Sequence, residues 1–379
     1  VLDFVGQPHQ HFRFEPRFAA LTGAQGHQLA RQIEAGFPFL PAGCSIHLDR
    51  VAAQTVLRNV KDGIAAISDA RLAQELRQKG DVPLGRFVRE NHPLDRIYRG
   101  RLGWSKLRQM AGFVGDLGPD GEVLARAVGR MRHVDDPERI GFYGRLLAVG
   151  RPPDPATLSE RERRLLTMLH VDLWGADRTS GTLAASLARF WRHDAIRDEL
   201  RQLLRLLDDE SPRIPTRAEL GEDIPLWVHA RYTRGEVLAA FGVWDVARPP
   251  SSREGVRYVE AAAVDVFFVT LRKTAAHFSP TTMYRDYAIS RSLFHWESQS
   301  TTSAGSPTGQ RYIHHAERGS RVCLFVRETG EDAQGRAMPF LFLGTATYRE
   351  HRGDRPMAIT WQLDQEIPAD FFQVARAAA

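Results

Sequence analysis

The spacing of the apolar residues changes once along the chain, at residues 247–255 (ARPPSSREG), and this change limits the fold more than any other feature. Over residues 19–250, apolar residues recur at the spacing of amphipathic helices. Beyond the segment, they form short β-branched and aromatic runs typical of strands. Its prolines, serines and glycine make the segment itself a linker. The sequence therefore predicts an α+β protein, with an all-helical part followed by a compact, mostly β part.

Capping signals precede several helical stretches. The clearest are Ser68–Asp69 before a helix closed by Gly80, Ser159 with Glu162, and Thr233 with Glu236. A long apolar pattern from Ala184 to Leu207 is interrupted around His193–Asp194, which predicts two consecutive helices.

Five strands are predicted in the β part, separated by Gly, Asp and Pro turns. They are Asp265–Lys273, Phe294–Ser300, Arg321–Arg327, Pro339–Gly344 and Met357–Leu363. So many short strands in so short a segment indicate a barrel-like domain or a strongly bent sheet.

Three regions are predicted: 1–18, 19–246 as a helical domain, and 247–379 as a β-rich domain. The region 1–18 opens on the strand-like run VLDFV, which we interpret as the remnant of a preceding domain. The alternative is that this run is a native N-terminal strand.

The 51 basic residues include only four lysines: Lys61, Lys79, Lys106 and Lys273. Arginine binds phosphate in a bidentate manner and stacks on bases, so this bias suits DNA binding. Coding bias in a GC-rich genome explains it equally well. The net charge of +5 is therefore weak evidence for a nucleic-acid partner.

The four lysines exclude several catalytic motifs. None follows a glycine, so the chain has no P-loop. No lysine lies two residues after a histidine, which excludes the motif of phospholipase-D-type nucleases. No lysine lies two residues after an acidic residue either, which excludes the end of the common metal-dependent restriction nuclease motif. A G-x-S-x-G nucleophile elbow is absent as well. The chain is therefore expected to lack a catalytic site of its own.

The spacing of the histidines and acidic residues along the sequence predicts no metal site. His314 and His315 would point to opposite faces of a strand, which is poor geometry for chelation. Cys44 and Cys323 are far apart in sequence and are expected to be free thiols in a cytoplasmic protein. No cofactor is expected in this chain.

Three sets of segments resemble a known family. They are VLDFVGQ with HFRF and residues 36–50, then residues 227–242 (WVHARYTRGEVLAAFG), then FFVTLRK, FSPTTMYRDYAIS, LFHWESQS, SPTGQRYI and RPMAITWQL beyond the linker. Together they resemble the C-terminal part of SauUSI-like, type IV modification-dependent restriction enzymes, which carry a superfamily-2 helicase motor.

The resemblance implies that the helical region couples a motor to a β-rich domain, SRA/PUA-like in fold, that reads modified cytosine. It also implies a parent protein that uses ATP and Mg²⁺ and acts in phage defence. Double-stranded DNA carrying 5-methyl- or 5-hydroxymethylcytosine is the expected partner, together with the upstream helicase and nuclease domains. A homodimer is also compatible with the resemblance.

A base extruded from the duplex needs an aromatic surface for stacking and polar groups for its Watson–Crick edge. The predicted pocket residues are Tyr284, Asp286, Tyr287, His295, Trp296, Glu297 and Gln299. Asp286 is the preferred acceptor for the cytosine amino group, with Glu297 as the alternative. On a strand, His295, Glu297 and Gln299 share one face and Trp296 lies on the other, where it could equally be a core residue.

The predicted phosphate contacts are Lys273, Arg285, Arg291 and Arg311. Readout in the major groove remains an alternative to base flipping. Two other functions remain open. One is a scaffold that dimerises a helicase, which the long helical region favours. The other is a nuclease or hydrolase that uses Asp286, His295 and Glu297.

Overall fold

The computed structural model describes residues 14–22, 26–37, 40, 45–65, 68–90, 92, 94–100, 102–210, 214–250, 255–272, 286–332 and 335–376. The chain divides into two compact units, Val1–Gly129 and Arg130–Ala379. The strand predicted at the start of the chain lies outside the described residues, as do residues 251–254 of the predicted linker.

The first unit is helical in its described residues. Its helices are α1 (Glu15–Thr22), α2 (Gly26–Glu34), α3 (Arg50–Ala65), α4 (Asp69–Lys79), α5 (Leu84–Arg89), α6 (Leu94–Ile97), α7 (Trp104–Ala111) and α8 (Gly118–Arg130), which ends at the boundary. The predicted start and end of α4 are confirmed, because Ser68 accepts a hydrogen bond from the Arg71 amide and Gly80 follows the last turn.

The second unit begins with a helical layer. It consists of the 3₁₀ turn η1 (Met131–His133), α9 (Pro137–Ala148), the turn η2 (Pro155–Thr157), α10 (Glu160–Trp174), α11 (Leu183–Trp191), α12 (Asp194–Glu210) and α13 (Arg234–Ala240). Both predicted capping boxes are confirmed, at the starts of α10 and α13. The predicted interruption at His193–Asp194 is confirmed too, since α11 ends just before it and α12 begins in it.

The strands found among the described residues all lie in the second unit. They are β1 (Thr216–Arg217), β2 (Trp227–Val228), β3 (Arg231–Tyr232), β4 (Val256–Val259), β5 (Val264–Thr270), β6 (Tyr287–Ala288), β7 (Leu293–Glu297), β8 (Arg321–Arg327), β9 (Phe340–Arg352) and β10 (Ala358–Leu363). The predicted strands are found as β5, β7, β8, β9 and β10. The turn η3 (Glu260–Ala262) and the helices α14 (Pro307–Ile313) and α15 (Ala369–Arg376) complete the unit.

The main sheet is open. Its strand order is β4-β5-β8-β9-β10-β7-β6, with β3 pairing the start of β9, and β1 pairs β2 separately. Only β5 and β8 run parallel among the described pairs. The α+β prediction is confirmed, whereas the barrel expected of the β part is wrong. Among the described strands, β4 and β6 form opposite edges instead of pairing with each other, which closure requires.

The predicted boundary at residues 246/247 lies inside the second unit. Arg231 and Tyr232 of β3 pair with Leu341 and Phe340 of β9, so a strand upstream of the boundary belongs to the main sheet. The helix α13, which follows β3, packs on α10.

Aromatic rings fill the core on one face of the sheet. Trp296 stacks on Phe267 with ring centroids 4.2 Å apart, and Tyr312 of α14 meets both edge-on. Trp361 contacts Phe267 in the same way. Rings of this size bury much apolar area, so this core stabilises the sheet.

Candidate functional site

One half of the sheet, which we call the covered half, consists of β5, β8 and the start of β9. Every residue of β5 is buried. On the face opposite the Trp296 core, Tyr232 meets Phe325 edge-on, and the Arg234 guanidinium lies 4.1 Å from the centre of the Phe268 ring. Residues of β3 and α13 therefore contact this face, which is why β5 is buried on both faces instead of alternating between buried and exposed residues.

The other half of the sheet alternates between buried and partly exposed residues. His295 pairs with Thr360, and Glu297 pairs with Ala358, on the face away from the Trp296 core. All four are half-buried. The predicted alternation along β7 is confirmed, since Trp296 is buried between His295 and Glu297. We call this surface of β6, β7 and β10 the outer face.

Four predicted pocket residues meet at the edge of the outer face, and we call them the edge cluster: Asp286, Tyr287, His295 and Glu297. Asp286 is buried, and its Oδ1 accepts a hydrogen bond from the Glu297 amide at 3.1 Å. The Tyr287 and His295 rings lie 4.6 Å apart, and His295 Nε2 is 4.0 Å from Glu297 Oε1. The structure therefore brings together an aromatic ring, an imidazole and two carboxyl groups.

The charge of His295 depends on opposing effects. Partial burial lowers its pKa, while the carboxylates of Glu297 and Asp286 raise it, and the net shift is downward. The imidazole is therefore neutral at pH 7, with one nitrogen that donates and one that accepts. A cluster of this composition can hydrogen-bond the edge of a base, whose donors and acceptors alternate.

The remaining predicted pocket residues are not part of the edge cluster. Trp296 lies in the core, stacked on Phe267, where no base could reach its faces. Gln299 lies beyond the end of β7 and is half-buried; its main-chain carbonyl accepts from the Thr302 amide. Tyr284 lies outside the described residues.

The predicted phosphate contacts differ in availability. Arg311 binds the buried carboxylate of Asp265 through two nitrogens, at 2.7 and 2.9 Å, and lies over the Tyr258 ring. Arg291 bonds the Ile367 carbonyl through Nε but keeps about half of its side chain exposed (47%), close to Glu366. Lys273 and Arg285 lie outside the described residues. Arg291 is thus better placed than Arg311 to reach a phosphate.

A second polar group of residues, which sequence reasoning missed, lies buried behind the covered half. Arg139 of α9 forms ion pairs with Asp136 and Glu236 and donates to the Arg231 carbonyl at 2.6 Å. Its guanidinium also lies 4.2 Å from the centre of the Tyr232 ring. This arginine therefore links α9 to β3 and α13 at the back of the sheet.

Three potential metal ligands meet within this buried group: His133 of η1, Asp172 of α10 and Glu236 of α13. Their ligand atoms all lie within 4.8 Å of one another. His133 Nε2 is 2.7 Å from Glu236 Oε2, which also accepts from the Thr233 amide at 2.6 Å. We call these three residues the buried triad.

Charges within the triad shift one another's pKa. Burial alone lowers the pKa of His133, but Glu236 outweighs it and raises the pKa to about 9. Burial raises the pKa of Glu236, and His133 with Arg139 more than reverses this. The pKa of Asp172 is raised by burial and by the adjacent Glu236. Two carboxyl groups in contact cannot both carry a full charge without a proton or a cation between them.

No local sequence signal identifies the triad. His133 and Glu236 are 103 positions apart. The only pattern involving any of the three is the capping box of α13, where the Glu236 carboxylate accepts from the Thr233 amide. The capping box was predicted correctly, but the Thr233 amide is only one of several partners of the Glu236 carboxylate.

Residues 226–375 match a known protein family, described as "Domain of unknown function (DUF3427)". It is an uncharacterised domain often found in helicase-associated proteins. The match includes the sheet, the edge cluster and Glu236, and it begins after His133 and Asp172. The comparison with curated proteins gives no match. Among the described residues, no helix has the length and apolarity required to cross a bilayer.

Proposed function

We propose that the second unit is the DNA-recognition part of a modification-dependent, SauUSI-like restriction system, and that its outer face reads modified cytosine. The edge cluster is the observation that carries this proposal. Tyr287 supplies a ring for stacking, His295 and Glu297 supply a donor and acceptors beside it, and the buried Asp286 holds the backbone of Glu297. In this proposal the helical regions couple recognition to an ATP- and Mg²⁺-dependent motor elsewhere in the parent protein.

The geometry favours recognition over catalysis. A general acid/base pair is expected within direct hydrogen-bond reach, and His295 Nε2 is 4.0 Å from Glu297 Oε1. The carboxyl of Asp286 already accepts from the backbone of Glu297, which suits a group held for recognition. The outer face also keeps its side chains half-exposed, as a surface that meets a ligand requires.

A binding panel tests the proposal. Full-length chain is titrated with duplexes that carry cytosine, 5-methylcytosine, 5-hydroxymethylcytosine or glucosylated cytosine at one position, at several salt concentrations. We expect tighter binding to the methyl or hydroxymethyl duplex, and an affinity that falls steeply with salt. Equal binding of modified and plain duplexes overturns base recognition. A stable dimer without any DNA binding would favour the scaffold function instead.

Variants assign the binding to the edge cluster. Tyr287→Ala should weaken binding of the modified duplex by about 1–3 kcal/mol if the ring stacks on a base. Glu297→Gln should reduce the preference for the modified base without changing the salt dependence. The matched control is Glu317→Gln, which removes the same charge from an exposed carboxylate just beyond α14. A control that lowers the preference as much as Glu297→Gln contradicts the assignment.

Arg291→Gln separates phosphate contact from base contact. Because Arg291 is about half exposed, we expect the substitution to weaken the binding of all duplexes alike and to reduce the salt dependence of binding by about one counterion. A loss confined to the modified duplex would instead place Arg291 at the base.

A further inference from the structure

We propose that the buried triad of His133, Asp172 and Glu236 binds a divalent transition-metal ion, with Zn²⁺ as the fitting probe. The three side chains come from η1, α10 and α13, and each is buried. One imidazole nitrogen and two carboxylates form a donor set suited to zinc and its neighbours better than to Mg²⁺, which prefers oxygen ligands alone. This site is independent of the outer face and of the proposed DNA recognition.

The orientation of His133 is the first observation that points to an ion. Its Nδ1 lies 3.0 Å from the Arg130 carbonyl, which can only accept, so Nδ1 carries a hydrogen. Without a metal, Nε2 donates its proton to Glu236 Oε2, 2.7 Å away. When a metal displaces that proton, Nε2 offers its lone pair at the centre of the triad. Metal-binding histidines are held in this way, with the second nitrogen donating to a carbonyl.

The second observation concerns the carboxylates. Asp172 is only 7% exposed, and its Oδ2 finds no hydrogen-bond donor among the described residues. Glu236 beside it is held by Arg139 and by the Thr233 amide, as ligand carboxylates are usually supported. A buried carboxylate oxygen without a donor costs free energy, and an ion bound to it removes that cost.

The charge count of the buried group gives the third argument. Asp135, Asp136, Asp172 and Glu236 are opposed by two guanidinium groups, those of Arg139 and Arg231. When a metal ion displaces the His133 proton, two negative charges remain among these groups, and one divalent cation neutralises them. The ion would connect α13, inside the matched segment, to η1 and α10 upstream of it, and would therefore stabilise the attachment of the sheet to its helical layer.

Metal content and thermal stability test the proposal. Full-length chain is stripped with a chelator, incubated with Zn²⁺, freed of excess by gel filtration and analysed by mass spectrometry for metal. We expect about one Zn²⁺ retained per chain and a midpoint of thermal unfolding higher by several degrees than in the stripped protein. Retention of less than about a tenth of an ion per chain overturns the proposal.

The decisive variant is Asp172→Asn. Asparagine has the shape of aspartate, and its amide can donate a hydrogen bond to Glu236. The variant therefore keeps the triad intact if a shared proton, and not a metal, holds the two carboxyl groups together. Asparagine is, however, a poor zinc ligand. We expect it to lose the retained ion and the thermal shift. His314→Gln is the control, because His314 forms a similar pair with Glu317 at 3.0 Å on the surface. Asp172→Asn protein that retains zinc as the wild type does overturns the site.

A measurement on the wild type alone covers the case in which Asp172→Asn does not fold. Cobalt(II) replaces zinc and has visible absorption that is intense only in low-coordinate sites. We expect such a band to saturate at about one equivalent and to be displaced by Zn²⁺. Only the weak absorption of hydrated cobalt would contradict the triad.

Discussion

The covered half and the outer face belong to one sheet but differ in what their side chains contact. In the covered half, β5 is buried on both faces and an ionic network lies behind it. On the outer face, β7 alternates, and its outward side chains are polar and half-buried. The difference shows that one half of the sheet attaches the helical layer, while the other keeps polar, half-buried side chains on its surface. Substitutions in the two halves should therefore have different consequences.

Arg139→Met should have the largest effect on stability. It leaves Asp136 and Glu236 buried without their guanidinium, and breaking such a pair costs about 3–5 kcal/mol. Denaturant unfolding followed by circular dichroism measures this loss. A loss below about 1 kcal/mol would show that the network is no more important than a surface ion pair.

His170 should make the helical layer sensitive to acid. Burial lowers its pKa from 6.5 to about 4, and its Nδ1 contacts Ser186. Because the unfolded chain takes up this proton first, stability is lost as the pH falls from about 6.5 towards 4, by roughly 2–3 kcal/mol. His170→Gln should remove this part of the pH dependence. Parallel stability curves for the variant and the wild type between these pH values would contradict the assignment.

Arg311→Gln should reduce stability more than DNA binding. The change leaves the buried Asp265 carboxylate without its charged partner, at a cost of about 2 kcal/mol. Unfolding and duplex titrations on the same sample compare the two effects. A stable variant with weakened DNA binding would restore Arg311 as a phosphate contact.

Glu297→Gln should have the smallest effect on stability, less than about 1 kcal/mol, because its carboxylate is part of a half-exposed surface. Its effect should appear in duplex binding. If it destabilises the chain as much as Arg139→Met does, then the outer face is structural and the contrast between the two halves disappears.

Local patterns in the sequence predicted much of the fold. The capping boxes at Ser159 and Thr233, the interruption at His193–Asp194 and the strand Arg321–Arg327 depend on neighbouring residues, and all are found. The barrel was wrong because closure depends on which strands form the edges, and strand spacing along the chain does not specify this.

The candidate site was predictable to a lesser extent. The alternation along β7 placed His295 and Glu297 on one face, since a strand requires it. The approach of Tyr287 and Asp286 to them depends on the pairing of β6 with β7, which the sequence left open. Trp296 had two interpretations, and its place in the core follows from the aromatic rings that surround it.

By itself, the sequence determined the five longest strands, the starts of the capped helices and the absence of a P-loop, because each depends on residues close together in the chain. Only the tertiary structure decided that the sheet is open, that Arg311 is held by Asp265, and that His133, Asp172 and Glu236 meet. These features join residues from distant segments, and their charges become significant only where folding removes water from around them.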